Sequence, residues 1–299
     1  MEQISLAAAA KINLTLDILG KRADGFHEVA MLMQSLALAD RVKLARRTDG
    51  RITLSVIGND KVPVDETNLA WRAAQVFLEV AEKFASALPI CRGADIIVEK
   101  RIPMAAGLAG GSTDAAAVLI GMNKLSGDLF TESELCDIGA KIGSDIPFCI
   151  VGGTCEATGR GEVLTKLPLL PKKFVVLAKP PIEVSTAWAY KSYDACPAVT
   201  HPDNQAAKAA LAAGDGKKLL GLLCNVLESV TIKEYPVIDE YKRLLVQVGM
   251  DAALMSGSGP TVFSLTDSEA VARSAAEFMR QNTDAQVIFT ATGFGDLTE

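Results

Sequence analysis

The sequence predicts an α+β protein of two domains, and three observations predict it. Segments with period-two alternation are mixed with helical segments in an order that suits helices covering one face of a sheet. At 299 residues, the chain has the length at which one core stops growing and a second domain is expected. The stretch Leu167-Pro168-Leu169-Leu170-Pro171-Lys172-Lys173 carries two prolines and a lysine pair, a composition break that suits a domain junction. The expected domains are therefore 1–168 and 169–299.

In residues 11–18, Ile12, Leu14, Leu16 and Ile18 share one face, while Lys11, Asn13, Thr15 and Asp17 share the other. That alternation predicts a half-buried strand. Asp24-Gly25 is a turn signal, and further strands are expected at 26–36, 41–47 and 51–57. A helix is expected over 68–83 and a short strand at 96–98, followed by an apolar, buried helix over 113–125 and another over 132–142. Beyond the composition break, a strand is expected at 174–178 and helices at 204–213, 215–229 and 235–248. Strands at 252–255 and 261–265, a helix at 269–280 and a strand at 286–290 complete the pattern.

Composition narrows the function. The net charge is −6 and no long basic run exists, which argues against a nucleic-acid surface. The six cysteines contain no C-x-x-C pair, and there are only two histidines, so a structural zinc site is not expected. Reduced cysteines fit a cytoplasmic protein. The opening residues lack the basic start and apolar core of a signal peptide. No apolar run reaches the ~18–20 residues that span a bilayer, so no membrane partner is expected.

The most informative stretch is Pro103-Met104-Ala105-Ala106-Gly107-Leu108-Ala109-Gly110-Gly111-Ser112-Thr113. Glycines let a backbone close on a bulky anion. The free N–H groups and positive dipole end of the helix that follows then hold negative charge. The glycines alone also fit a mobile capped loop. The order of strand, proline, glycines, hydroxyls and helix favours a phosphate cradle. No Lys-Ser/Thr pair follows Gly111, so this is not the common P-loop. A cation must come from elsewhere in the chain.

Lys11, in a bare apolar setting, is the candidate cation; its plain alternative is a solvated lysine. Asp145, in Gly143-Ser144-Asp145-Ile146-Pro147-Phe148, is expected between a helix end and a strand. It is either a turn aspartate or a carboxylate that positions an attacking hydroxyl. Ser256-Gly257-Ser258-Gly259-Pro260 is either a hairpin loop or a tight turn over phosphates. Phe26, His27 and Tyr190 are candidates for binding a planar ring.

With these residues in view, the chain resembles the GHMP kinases. Lys11-Ile12-Asn13-Leu14 and Gly20-Lys21-Arg22-Ala23-Asp24-Gly25-Phe26-His27 resemble their first motif, Pro103 to Thr113 their ATP-binding motif, and Ser256 to Pro260 their third. The first motif looks like the branch that acts on 4-diphosphocytidyl-2-C-methyl-D-erythritol. The resemblance implies an N-terminal S5-domain-2-like nucleotide-binding domain and a C-terminal ferredoxin-like domain, with the active site in the cleft between. It implies transfer of the γ-phosphoryl of ATP, with Mg²⁺, to the 2-hydroxyl of that alcohol in the non-mevalonate isoprenoid route. Lys11 and Asp145 match the catalytic pair, and Pro103 to Thr113 with Asn68 match nucleotide-binding positions. Asn13, Phe26, His27 and Tyr190 match positions that bind the cytidyl substrate, the two aromatics enclosing the base. No protein metal site is implied, and a monomer or weak homodimer is expected. Three departures stand out: Phe26 replaces a tyrosine, Ala109 a glycine and Thr113 a serine. A homoserine or mevalonate type of GHMP kinase, or an inactive nucleotide-binding protein, is the alternative reading.

Overall fold

The computed structural model describes residues 2–84, 91–196 and 199–293. Two compact units are each assembled from separate stretches of chain. The first holds the chain up to Ala10, Ala39–Met104 and Ala109–Gly152; the second holds Lys11–Leu38, Ala105–Leu108 and the chain from Gly153 onward. Strands β1 (Gln3–Lys21) and β2 (His27–Arg47) contribute residues to both units.

In the first unit follow β3 (Ile52–Ile57), α1 (Leu69–Ala81), β4 (Gly93–Glu99), α2 (Gly110–Leu125), α3 (Glu132–Ala140) and α4 (Ile146–Val151). β4 lies between β3, which runs parallel to it, and the C-terminal half of β2, which runs antiparallel. Leu44 and Ile96 on these strands pack with Phe77 of α1 and Val118 and Met122 of α2. Helix α2 is buried on nearly all sides, as its apolar composition predicts. Gly121 makes that possible, because a Cβ there would lie 2.6 Å from Leu44 Cδ1. Helix α3 opens on a reciprocal cap between Thr131 and Glu134.

The second unit adds β5 (Thr154–Thr158), β6 (Val163–Lys166), β7 (Phe174–Lys179), α5 (Thr186–Asp194), α6 (Asn204–Ala212), α7 (Gly216–Leu220), β8 (Cys224–Asn225), α8 (Glu228–Glu234), α9 (Val237–Gln247), β9 (Ala252–Met255), β10 (Val262–Thr266), α10 (Glu269–Asn282) and β11 (Gln286–Ala291). The order β11-β7-β10-β9 forms an antiparallel sheet, on which α9 and α10 pack. β5 pairs with both β6 and the N-terminal half of β2. β8 pairs with β1 at Thr15 and Leu16. No helix among the described residues is long and apolar enough to cross a membrane.

Four sequence expectations are corrected. Strands expected at 26–36 and 41–47 form the single strand β2. Asp40, which looks like a break in the pattern, is buried and accepts the Ile102 N–H at 2.8 Å. The helix expected at 215–229 is interrupted by β8. Asp145 lies between two helices, not between a helix and a strand. Pro147 fits the first turn of α4, where its missing N–H costs nothing. Finally, β1 extends well beyond 11–18, and its polar face is buried too.

The start of α4, and with it Asp145, is set by contact with α3. A Cβ on the buried Gly139 would sit 2.6 Å from Ile146 Cγ2, an atom on a stiff β-branched side chain. Gly139→Ala should therefore destabilise the protein by about 1–3 kcal/mol, the usual cost of overpacking, as read from urea unfolding. A neutral effect would mean that α4 yields freely.

Candidate active site

The candidate centre of the second unit begins on β1. Lys11 is 4% exposed and Asn13 fully buried. A buried ammonium needs a partner, and Lys11 Nζ donates to Asn13 Oδ1 at 2.8 Å. Asn13 Nδ2 in turn donates to Met31 Sδ at 3.3 Å. Further along the same face, Thr15 Oγ1 donates to Asn204 Oδ1 at 2.6 Å, and His201 Nδ1 lies 2.6 Å from Asp17 Oδ1. The reading of Lys11 as a solvated lysine is excluded, because this face of the strand is a row of satisfied polar groups and not a wet surface.

The glycine loop and the third motif meet on this row. Gly107 has φ +72°, and a Cβ on it would fall 2.2 Å from Ser256 O, so only glycine fits. Ser256 Oγ donates to Gly107 O at 2.9 Å, and Lys11 N donates to Leu108 O at 3.1 Å. A Cβ on Gly257 would lie 3.5 Å from both Lys11 Nζ and Asn13 Oδ1. Three motifs separated by about a hundred residues or more in sequence thus touch within one unit. Two residues that sequence reasoning missed hold the turn. Asn225 Nδ2 donates to Met255 O and Gly257 O, each at 2.8 Å, and Thr186 Oγ1 and Ser258 Oγ are 2.9 Å apart. No local signal marks either residue, because their partners are long-range backbone carbonyls and a distant hydroxyl.

The loop continues into α2 of the first unit. Its first N–H groups, on Gly110, Gly111 and Ser112, have no acceptor within the helix, and Gly111 is exposed. This is a helix N-terminus of the kind that holds anions. Ala109, at φ +59°, occupies a left-handed conformation that costs a residue with Cβ roughly 1–2 kcal/mol. The alanine therefore strains the loop. Ala105, at φ +48°, shares that strain. Within the loop, Ala106, Leu108 and Thr113 are buried, while Met104 and Ala105 face solvent and Pro103 is half-buried. Asn68 caps α1: its Oδ1 accepts from Ala70 N at 2.8 Å and its Nδ2 donates to Pro63 O at 2.7 Å.

Beneath the start of α2 lies a buried charge cluster that no local pattern announces. Lys100 Nζ donates to Asp114 Oδ2 at 2.7 Å, to Gly110 O at 3.4 Å, and to Asp40. Asp40 also receives the Arg101 and Ile102 N–H groups. The other Asp114 oxygen, Oδ1, is buried without a hydrogen-bond partner. Burial pushes the Asp114 carboxyl up to about 7, although the Lys100 ammonium pulls it down. A carboxyl raised in the folded state contributes stability below its unfolded value, and that stability is lost as pH rises through the folded value. Asp114→Asn keeps an acceptor for Lys100 and removes the buried anion. Its melting temperature should gain on wild type as pH rises from about 4 to 7, the interval between the ordinary aspartate value and the raised one, and then run parallel to it. An unchanging difference across that interval would show that Asp114 is ionised throughout.

At the other end of the second unit, β2 begins at His27 after a turn closed by Gly25 N to Arg22 O at 3.1 Å. The His27 and Tyr190 rings lie 5.1 Å apart, tilted at 45°. Phe26 is 52% exposed, with the Arg160 guanidinium 5.0 Å from its ring centroid. His27 borders a cavity of about 300 Å³, shared with Lys21, Tyr193 and Asp194; that volume is at the lower end for ligand pockets. In the first unit, Asp145 is half-buried at the start of α4, and its side chain makes no capping bond there. No cluster of three or more His, Cys, Asp or Glu able to hold a metal occurs among the described residues.

Known proteins match this arrangement. Residues 68–153 match the GHMP kinases N terminal domain and residues 207–285 match the GHMP kinases C terminal. A 4-diphosphocytidyl-2-C-methyl-D-erythritol kinase of Bacillus pumilus is 50% identical over 88% of this chain and 88% of its own. A crystal structure of 4-(cytidine 5'-diphospho)-2C-methyl-D-erythritol kinase superposes with a TM-score of 0.79 at 32% identity, covering 98% of this chain and all of that one. Homoserine kinase from Cytophaga hutchinsonii shares the fold, with a TM-score of 0.70 at 19% identity over 98% of this chain and 95% of its own. The chain belongs to the GHMP kinases, in the family of the 4-diphosphocytidyl-2-C-methyl-D-erythritol kinases.

Proposed function

We propose that this kinase transfers the γ-phosphoryl of ATP to the 2-hydroxyl of 4-diphosphocytidyl-2-C-methyl-D-erythritol, a step in the non-mevalonate route to isoprenoid precursors. The observation that carries the reading is the bonding of Lys11 to the glycine loop and of that loop to the Ser256 turn. It supplies the cation that the loop itself lacks. Phosphoryl transfer runs through a loose transition state, so positioning and charge stabilisation supply most of the catalysis. In this reading the α2 N-terminus and the loop hold the nucleotide phosphates, and Asn68 lies near the nucleotide. Lys11 stabilises charge on the transferring group. Asp145 orients the acceptor hydroxyl and takes its proton. Asn13 and His27 bind the substrate, and Phe26 and Tyr190 enclose its base.

The donor set fits magnesium held chiefly by nucleotide phosphates and waters, with the Ser112 or Thr113 hydroxyl as protein ligand, since no carboxylate cage exists among the described residues. When bound, the ion supplies charge neutralisation on the phosphates. All six cysteines are free thiols, which fits a reducing compartment, and we assign the enzyme to the cytoplasm.

Asp145→Asn should lower kcat by about a hundredfold or more, the scale of acid–base contributions, with ATP binding kept; coupled ADP release measures it. Near-normal turnover removes Asp145 from the chemistry. Tyr190→Ala should raise KM for the cytidyl alcohol by about one order of magnitude, since stacking a base on an aromatic ring is worth ~1–3 kcal/mol, and should leave KM for ATP in place. Equal losses for both ligands would refute the ring assignment.

A further inference from the structure

Helix α5 presents two groups to His27. Tyr190 and Asp194 are four residues apart and so share one helix face. The Tyr190 ring packs 5.1 Å from the imidazole, and Asp194 Oδ1 lies 2.6 Å from His27 Nε2. The second carboxylate oxygen, Oδ2, accepts from Lys21 Nζ at 2.8 Å. Lys21, and after it His27, hold the Asp194 carboxyl below the usual range, so it is ionised at neutral pH and can only accept. The hydrogen between Asp194 and His27 therefore belongs to Nε2. In the neutral imidazole, Nδ1 is then a bare acceptor, and among the described residues it has no hydrogen-bond donor facing it.

We propose that Asp194 is a positioning residue that fixes the His27 tautomer and, through it, selects a pyrimidine bearing an amino group at C4 over one bearing a carbonyl. The inference rests on the cytidyl reading given above. A bare Nδ1 accepts an amino hydrogen and repels a carbonyl oxygen, so cytosine and uracil are separated by the sign of one hydrogen bond. The pair of Lys21 and Asp194 is 60% and 30% exposed, so as an ion pair it contributes little to stability. Its effect on specificity is thus separable from folding.

The arrangement makes an unusual variant informative. In Asp194→Asn, Lys21 has only hydrogens to give, so the amide oxygen stays with Lys21. The amide NH₂ then faces Nε2, which must become the acceptor, and the imidazole proton moves to Nδ1. Replacing a histidine-orienting aspartate with asparagine enforces the wrong tautomer in the same way elsewhere. Adding Lys21→Met frees the amide to turn its oxygen back to His27.

The test is competitive inhibition by CDP and by UDP against the diphosphocytidyl alcohol. Wild type should prefer CDP. Asp194→Asn should lose about tenfold or more of that preference, roughly the net worth of one hydrogen bond, with KM for ATP unmoved. Lys21→Met should keep the preference, and Lys21→Met with Asp194→Asn should recover part of it. An unchanged CDP-to-UDP ratio in Asp194→Asn overturns the role of Asp194 while leaving the cytidyl reading in place. A wild type that does not phosphorylate the diphosphocytidyl alcohol overturns both. The chain has only two histidines, so nitrogen NMR of the imidazoles gives a direct second measurement. A neutral His27 protonated at Nε2 supports the inference, and one protonated at Nδ1 overturns it.

Discussion

A missing methylene group organises the second unit. Because Gly107 has no Cβ, its backbone can lie against Ser256, where any other residue would put an atom 2.2 Å from the Ser256 carbonyl. That approach lets Ser256 bond the Gly107 carbonyl, and it leaves Gly257 so placed that a Cβ on it would touch Lys11 and Asn13. The lysine is then buried without being stranded, since Asn13 takes one of its hydrogens. Conventional phosphate loops carry their cation next to their glycines. Here no lysine follows the glycines, and the lysine that comes to the loop belongs to the first strand, its N–H on the Leu108 carbonyl.

The same economy explains why polar residues line a strand that is buried on both faces. Lys11, Asn13, Thr15 and Asp17 alternate with core residues, and each has a named partner: Asn13, Met31, Asn204 and His201 respectively. An unpartnered buried polar group costs what a lost hydrogen bond costs. A row of this kind persists only when the surrounding elements are built to answer it. Asn225 shows the pattern at one remove. The two-residue strand β8 holds its backbone against Leu16, and its side chain then fixes the turn that covers Lys11.

What the sequence disclosed and what it hid divide along the range of the interactions involved. The glycine loop was legible because its signal is local: glycines, hydroxyls and an apolar helix in consecutive order. The four strands of the sheet β11-β7-β10-β9 are legible because each has short, clean bounds, although their order and pairing are not. Strand β2 runs unbroken through Asp40 where two separate strands are expected. Only its bonds to residues some sixty positions away show why a buried carboxylate belongs inside a strand. Lys100, Asp114, Asn225 and Asp194 were invisible for the same reason, since each acts on a group that no local pattern points to. The helix expected at 215–229 failed because its middle is claimed by pairing with β1, a tertiary demand that overrides propensity.

The two charge clusters differ in a way that bears on what each can do. Lys100 is enclosed between Asp40 and Asp114, with side chains 6%, 0% and 6% exposed. Two buried carboxyl groups held by one ammonium make a rigid support that is costly to break. They suit the fixed floor of an anion cradle. Lys21, Asp194 and His27 form a chain that opens toward solvent at its lysine end and closes at its histidine end, where exposure falls from 60% through 30% to 10%. Such a gradient leaves little stabilisation in the ion pair, and at its inner end the carboxylate meets one nitrogen of the half-buried ring. Rigid charge is thus confined to the start of α2 in the first unit, and graded charge to the start of β2 in the second.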